Sequence, residues 1–190
     1  MGDKRDELLA AACIEFRTSD LDGISLEPLA RQVGLSPGQA RELFPDRESL
    51  EQAVYERALI TMATESFASL PQSGLREQLE HLLRQRYQFF VLHRESSRKI
   101  LFGAISAGGG WRDPFEEQFW RFSIQVVALL EAAKRHGEIR ADADHALAAR
   151  AFVSYYLTGL LLALRNEKMT AQDAFDFTFP LVAALLDSLR

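Results

Sequence analysis

The chain has 190 residues and little of what marks several protein classes. A single cysteine, Cys13, excludes an internal disulfide framework and any multi-thiolate metal site, and points to a reducing compartment. Flanked by Ala11, Ala12 and Ile14, it reads as a packing residue rather than a redox sensor. The four histidines, His81, His93, His136 and His145, lack ligand spacing, so no metal is expected, and no motif asks for a cofactor. No Ser/His/Asp arrangement is signalled. The run Gly108-Gly109-Gly110 lacks both the Lys-Ser/Thr that follows a phosphate loop and the strand that precedes one, so it reads as a connection between helices, and nothing supports an enzyme. The most apolar run, Tyr155 to Leu164, is about half of the roughly 20 residues that cross a bilayer. The opening Met1-Gly2-Asp3-Lys4-Arg5-Asp6-Glu7 has no apolar core for a signal peptide, and a cytoplasmic protein with no membrane partner is expected. Positive charge is short as well: 22 Lys+Arg stand against 27 Asp+Glu, a net −5 that argues against a partner held by bulk basic charge.

What remains is apolar and helical. With 47% hydrophobic and 26% charged residues the composition is that of a compact soluble chain, and six Pro with eleven Gly leave little room for low-complexity linkers. Apolar ladders at helical spacing run through Leu75, Leu79, Leu82, Leu83, Phe89 and Phe90, through Phe115, Phe119, Phe122, Val126, Leu129 and Leu130, and through Phe175, Phe179, Val182, Leu186 and Leu189. No strand pattern competes. The periodicity and the start signals, Asp113-Pro114 and Thr170-x-x-Asp173 among them, predict an all-α fold of about nine helices. They fall near 4–18, 26–33, 37–43, 47–69, 74–93, 95–106, 113–136, 142–166 and 170–189. Three short helices followed by long ones do not form one bundle layer, so residues 1–46 read as a compact head and 47–190 as a larger helical body. Of 19 aromatic residues only Phe16, Phe44 and Tyr55 precede residue 58, which sharpens that division.

The head carries the most informative segment. Ser25 opens a short helix whose buried face holds Leu29, Ala30 and Val33; the small Ala30 permits close approach of a second helix, and Gly34 supplies the positive φ that turns the chain. Ser36 caps the next helix, with Pro37 at its first position and Gln39 at N3, a capping box. This is a helix-turn-helix pattern. The start of its second helix, with Ser36, Pro37, Gly38, Gln39 and Arg41, offers backbone N–H groups and polar side chains to phosphates or base edges.

Together with Leu8, Leu9, Ala12 and Phe16 before it, and Phe44-Pro45-Asp46-Arg47-Glu48-x-Leu50 after it, the segment is similar to the DNA-binding domain of the TetR/AcrR family of transcriptional regulators, over about residues 5–55. Gly137-Glu138-Ile139-Arg140-x-Asp142-x-Asp144 ahead of a long apolar helix also resembles that family's body. The family usually has Tyr at Arg41 and Lys at Arg47, positions that commonly touch phosphates, and a glycine at Asp20, which can adopt the left-handed conformation at some cost. The resemblance implies a homodimer on a pseudo-palindromic double-stranded DNA operator, contacted through Ser25, Ser36, Pro37, Gly38, Gln39, Arg41 and Arg47. It also implies release by a largely apolar small-molecule effector, with the helix from Arg47 to Ser69 shared by head and body.

Two further features stay open on the residues alone. The aromatic stretches are read either as core or as an effector pocket formed by Phe90, Phe102, Trp111, Phe119 and Phe122 with Arg86, His93, Tyr155 and Tyr156 as polar anchors. The last two helices are apolar around more than one face, and the resemblance implies a four-helix dimer contact through Phe152, Leu160, Phe175, Phe179, Val182 and Leu186, with Pro180 kinking the final helix. Finally, residues 1–57 hold 7 Lys+Arg and 12 Asp+Glu, so the whole net −5 falls on the head and the start of the helix that follows it. DNA binding there has to rest on a few placed groups; the alternative is a ligand-sensing or protein-interaction dimer whose acidic head has lost DNA binding.

Overall fold

The computed structural model describes residues 2–106 and 112–190. Among the described residues it is all-α, with nine helices: α1 Gly2–Phe16, α2 Leu26–Gln32, α3 Pro37–Leu43, α4 Arg47–Ala68, α5 Leu75–Leu92, α6 Arg94–Ser106, α7 Arg112–Arg135, α8 His145–Arg165 and α9 Ala171–Ser188. A single 3-10 turn, Leu21–Gly23, separates α1 from α2. Most boundaries fall within a residue of the sequence reading, and three are worth explaining. α1 stops at Phe16 because the hydroxyls of Thr18 and Ser19 both donate to the Glu15 carbonyl, at 3.3 and 2.8 Å. α8 starts only at His145, where the Asp144 carboxylate caps it by accepting from the Leu147 N–H at 2.9 Å. α7 begins at Arg112, which places Asp113 and Pro114 inside its first turn.

Leu8, Ala12 and Phe16 of α1 pack on Leu29 and Ala30 of α2, Ala40 and Phe44 around α3, and Leu50 and Val54 of α4, all buried. Each large side chain here contributes about 1.5–3 kcal/mol by leaving water. Gly34, at φ +72°, closes α2 with a Schellman pair: its N–H donates to the Arg31 carbonyl at 3.2 Å and the Leu35 N–H to the Ala30 carbonyl at 2.8 Å. The Asp20 expectation needs correcting. Its φ is −87°, extended rather than left-handed, because its carboxylate is held by the Leu21 N–H and by the Ser96 hydroxyl of α6.

In the body, α5 runs through the middle, with α4, α8 and α9 against it and α7 across α8. Gly159 of α8 marks the tightest crossing: a Cβ there would stand 2.2 Å from Thr178 Oγ1 and 2.4 Å from the Tyr87 hydroxyl. Those two oxygens are hydrogen-bonded to each other at 2.7 Å, and Tyr87 also reaches the Tyr156 carbonyl. By length and composition α8 would pass for a membrane-spanning helix, although half of that stretch is buried against its neighbours. α9 continues through Pro180, which is exposed and leaves the Asp176 carbonyl without its helical donor.

Candidate nucleic-acid interface and effector cavity

α2 and α3 form the predicted helix-turn-helix. Both bonds of the capping box are present: Gln39 N–H donates to Ser36 Oγ at 3.3 Å and Ser36 N–H to Gln39 Oε1 at 3.0 Å. Ser36, Pro37, Gly38, Gln39 and Arg41 are all exposed on one surface, but the Gln39 carbonyl oxygen is committed to the cap, which leaves only its amide protons for another partner. Ser25 is exposed at the N-cap of α2 in extended backbone and makes no side-chain cap bond. Arg41 pairs with Glu27 of α2 at a long 3.5 Å, both side chains in solvent, a contact of small value that a phosphate can displace.

Arg47 is placed differently. Its guanidinium donates to Glu51 Oε1 at 2.6 Å, to the Asp22 carbonyl at 3.0 Å and to the Asp22 carboxylate at 3.3 Å, so it fastens α4 to the 3-10 turn. Lys4 is likewise engaged, with Glu7 and with the Val33 carbonyl, and Arg5 lies over the Phe44 ring. Sequence reasoning passed over Arg31. It stands one helical turn after Glu27, which puts it on the face of α2 that meets Arg41, and it has no ion-pair partner among the described residues. That i, i+4 spacing from Glu27 was the available signal.

Head and body meet through polar groups that the sequence did not single out. Glu51 of α4 is 3% exposed and accepts from both Arg47 and Lys99 of α6. Burial alone would raise its carboxyl, yet these bonds outweigh burial and hold it below the usual carboxylate range. Tyr55 shares a 2.8 Å hydrogen bond with Ser97, and Ser96 holds Asp20, so the first turns of α6 grip α4 and the α1–α2 connection. His93, at the end of α5, stacks on Phe16 with ring centroids 4.0 Å apart; burial lowers its imidazole below the ordinary histidine value, with Asp20 opposing.

The predicted pocket residues divide between two cavities. Arg86, Phe90, Phe119, Phe122 and Tyr156 come together, with Leu59, Met62 and Leu160, around a cavity of about 40 Å³ between α4, α5, α7 and α8. That space has room for only a few water molecules. His93 instead lines a more open cavity of about 300 Å³ at the head–body junction, with Cys13, Phe16, Arg17 and Phe89. Burial raises the Cys13 thiol above its ordinary value, Arg57 and Arg17 opposing. Phe102 is exposed and lines neither cavity, Tyr155 is half-buried and lines neither cavity, and Trp111 with the Gly108–Gly110 run lies outside the described residues. Among the described residues no group of three or more His, Cys, Asp or Glu side chains gathers as for a metal.

No family model matches the sequence, and no curated protein does. Solved structures do match over nearly the whole chain. A transcriptional regulator from Cytophaga hutchinsonii superposes with a TM-score of 0.79 at 16% identity, covering 97% of each chain. A TetR-family transcriptional regulator from Streptomyces coelicolor gives 0.67 at 19% identity, covering 100% of this chain and 84% of its own. The transcriptional regulator FadR from Bacillus subtilis, solved in complex with stearoyl-CoA, gives 0.67 at 12% identity, covering 97% and 99%. The chain has the fold of TetR-family regulators.

Within this TetR-family fold, the dimer-interface expectation requires correction at the level of residues. Phe152, Leu160, Phe175, Val182 and Leu186 are buried inside the single chain and Phe179 is partly buried, stacked on Phe175 at 4.9 Å, so these side chains already fill the core between α5, α8 and α9. The apolar faces left open lie on the opposite sides: Leu147, Leu161 and Leu162 of α8, and Phe177 and Leu181 of α9. Both helices have two apolar faces, and only one of each is buried within the chain.

Proposed function

We propose that the chain is a TetR-family one-component transcriptional regulator, a cytoplasmic repressor that binds a pseudo-palindromic operator as a homodimer and is released by a small-molecule effector. The observation that carries this reading is the pairing of a capped helix-turn-helix with a body whose cavity-lining helices α4 and α5 also reach the head. In this reading residues 1–46 are the DNA-binding head and 47–190 the effector-binding and dimerisation body. Arg41, Arg31, Ser36, Gly38 and the amide of Gln39 meet the DNA, while Arg47 holds the head in register. The open faces of α8 and α9, with Leu147, Leu161, Phe177 and Leu181, meet their symmetry mates. An effector that binds only the body conformation with mismatched head spacing lowers operator affinity by its differential binding energy, about 1–3 kcal/mol.

The head's excess of acid and the engagement of Arg47 by two carboxylates favour a second reading, a ligand-sensing dimer whose head has lost DNA binding. Fluorescence anisotropy with duplexes from the gene's own upstream region decides between them. The regulator shows saturable, salt-sensitive binding, and Arg41→Ala weakens it by about 1–3 kcal/mol with a salt slope shallower by about one ion. The absence of specific binding in every ligand state would overturn the regulator reading.

A further inference from the structure

Arg86 sits in the middle of α5, only 6% exposed, in the wall of the cavity between α4, α5, α7 and α8. Buried arginines are ordinarily matched by a carboxylate, because an unpaired buried charge is costly. Arg86 has no ion-pair partner among the described residues; the Tyr156 hydroxyl is its hydrogen-bond partner, and its Nε–H is left without an acceptor. Its guanidinium stacks over the Phe122 ring at 3.4 Å, with the Tyr156 ring at 5.8 Å. The ring faces stabilise charge from above the plane, yet they accept nothing from the N–H groups that lie in it. Around it the cavity is mostly apolar, with Leu59, Met62, Phe90 and Phe119, and Gln118 and the Tyr156 hydroxyl are the other polar groups in the wall.

A planar cation held at the end of an apolar space, with a donor left unmet, is complementary to a planar anion on an apolar body. We propose that the effector is a carboxylic acid with a hydrophobic tail, its carboxylate paired in bidentate fashion with Arg86 and its tail among the side chains of α4, α7 and α8. This rests on the reading of the cavity as the effector site. The guanidinium fork fits a carboxylate in two parallel hydrogen bonds, which an alcohol or an ester cannot return. A cavity of about 40 Å³ is too small for the tail, so occupation has to displace Phe119 and Phe122 and part α7 from α4 and α5. The same ligand that satisfies Arg86 therefore repositions the helix that carries the head.

The test compares matched probes, decanoate with decanol and phenylbutyrate with phenylbutanol, by calorimetry and thermal shift on the full chain in the absence of DNA. At least one acid is expected to bind about tenfold or more tightly than its alcohol. Arg86→Met is expected to abolish that preference and leave alcohol binding unchanged, while its ligand-free Tm stays equal to wild type or rises, since an apolar side chain of similar length relieves a buried unpaired charge. Arg86→Lys, which keeps the charge and loses the fork, should keep only part of the preference, and it serves if the Met variant does not fold. Equal affinity for acid and alcohol, no binding of any probe up to about 1 mM, or a preference that survives Arg86→Met would overturn the proposal. An acid that binds through Arg86 to a protein without operator affinity would leave this inference standing and remove the regulator reading.

Discussion

The head and the body are stabilised in contrasting ways. Within residues 4–46 every buried side chain is apolar, and the charged groups lie outside, tied in exposed pairs such as Lys4–Glu7 and Arg41–Glu27. From Glu51 onward polar groups are buried: Glu51, Ser66, Arg86, His93, Ser96, Ser97 and Thr178. Among the described residues, the three buried side-chain nitrogens without a partner, Arg86 Nε, His93 Nδ1 and Arg94 Nε, all lie on α5 or at its junction with α6. A dry apolar core specifies one packing, whereas incompletely satisfied buried polar groups leave alternatives of similar energy. The head is packed dry, and the incompletely satisfied polar groups are concentrated where α5 and α6 meet it.

Substitutions at the polar junctions separate these two behaviours. The largest effect is expected for Gly159→Ala, since the new methyl meets Thr178 Oγ1 and the Tyr87 hydroxyl inside hydrogen-bond distance and neither oxygen can retreat. Urea unfolding should show a loss of about 2–3 kcal/mol or more, in contrast to an overpacked site with room to relax. Glu51→Gln comes next, at about 1–3 kcal/mol near neutral pH, because it weakens the bonds from Arg47 and Lys99. The Glu51 carboxyl is held below its ordinary value, so its contribution is present above the unfolded carboxylate range and disappears as pH falls through the folded value. The stability difference between wild type and Glu51→Gln should therefore close on acidification, and a constant difference from pH 7 down to about pH 3 would refute the role given to the carboxylate. The smallest effects lie in the head. Ser36→Ala should cost about 1 kcal/mol by removing a formed cap, and Ser25→Ala should cost almost nothing because no cap bond exists there. Equal losses at the two serines would erase the distinction between them.

Local signals were the legible ones. The capping box at Ser36 and Gln39, the positive φ of Gly34 and the helical ladders depend on residues within one or two turns of each other, and each appears where the pattern placed it. The grouping of these side chains was half legible: Arg86, Phe90, Phe119, Phe122 and Tyr156 line one cavity, while His93 belongs to another, because α5 winds from one to the other within seven residues and periodicity does not say which neighbour covers each face. The same ambiguity affects α9, where Phe175 and Val182 were expected at a dimer contact but lie buried in the single chain, while Phe177 and Leu181 are exposed. The network of Glu51 was invisible because Lys99 lies 48 positions away in sequence, and only its bond to Arg47 has helical spacing. Asp20 was misjudged for a similar reason, its partner Ser96 being supplied by the body.

The length of α4 gives the junction its reach. Its 22 residues extend about 33 Å at 1.5 Å per residue, with Arg47 at the head end and the cavity residues Leu59 and Met62 in its second half. Pivoted at the far end, a tilt of about 5° sweeps the head through about 3 Å, and two such heads on a symmetric dimer change their separation by up to about 6 Å. Recognition helices must match a groove repeat of about 34–36 Å. In the proposed dimer, a side-chain displacement no larger than a ring width would be enough to put both heads out of step with the double helix.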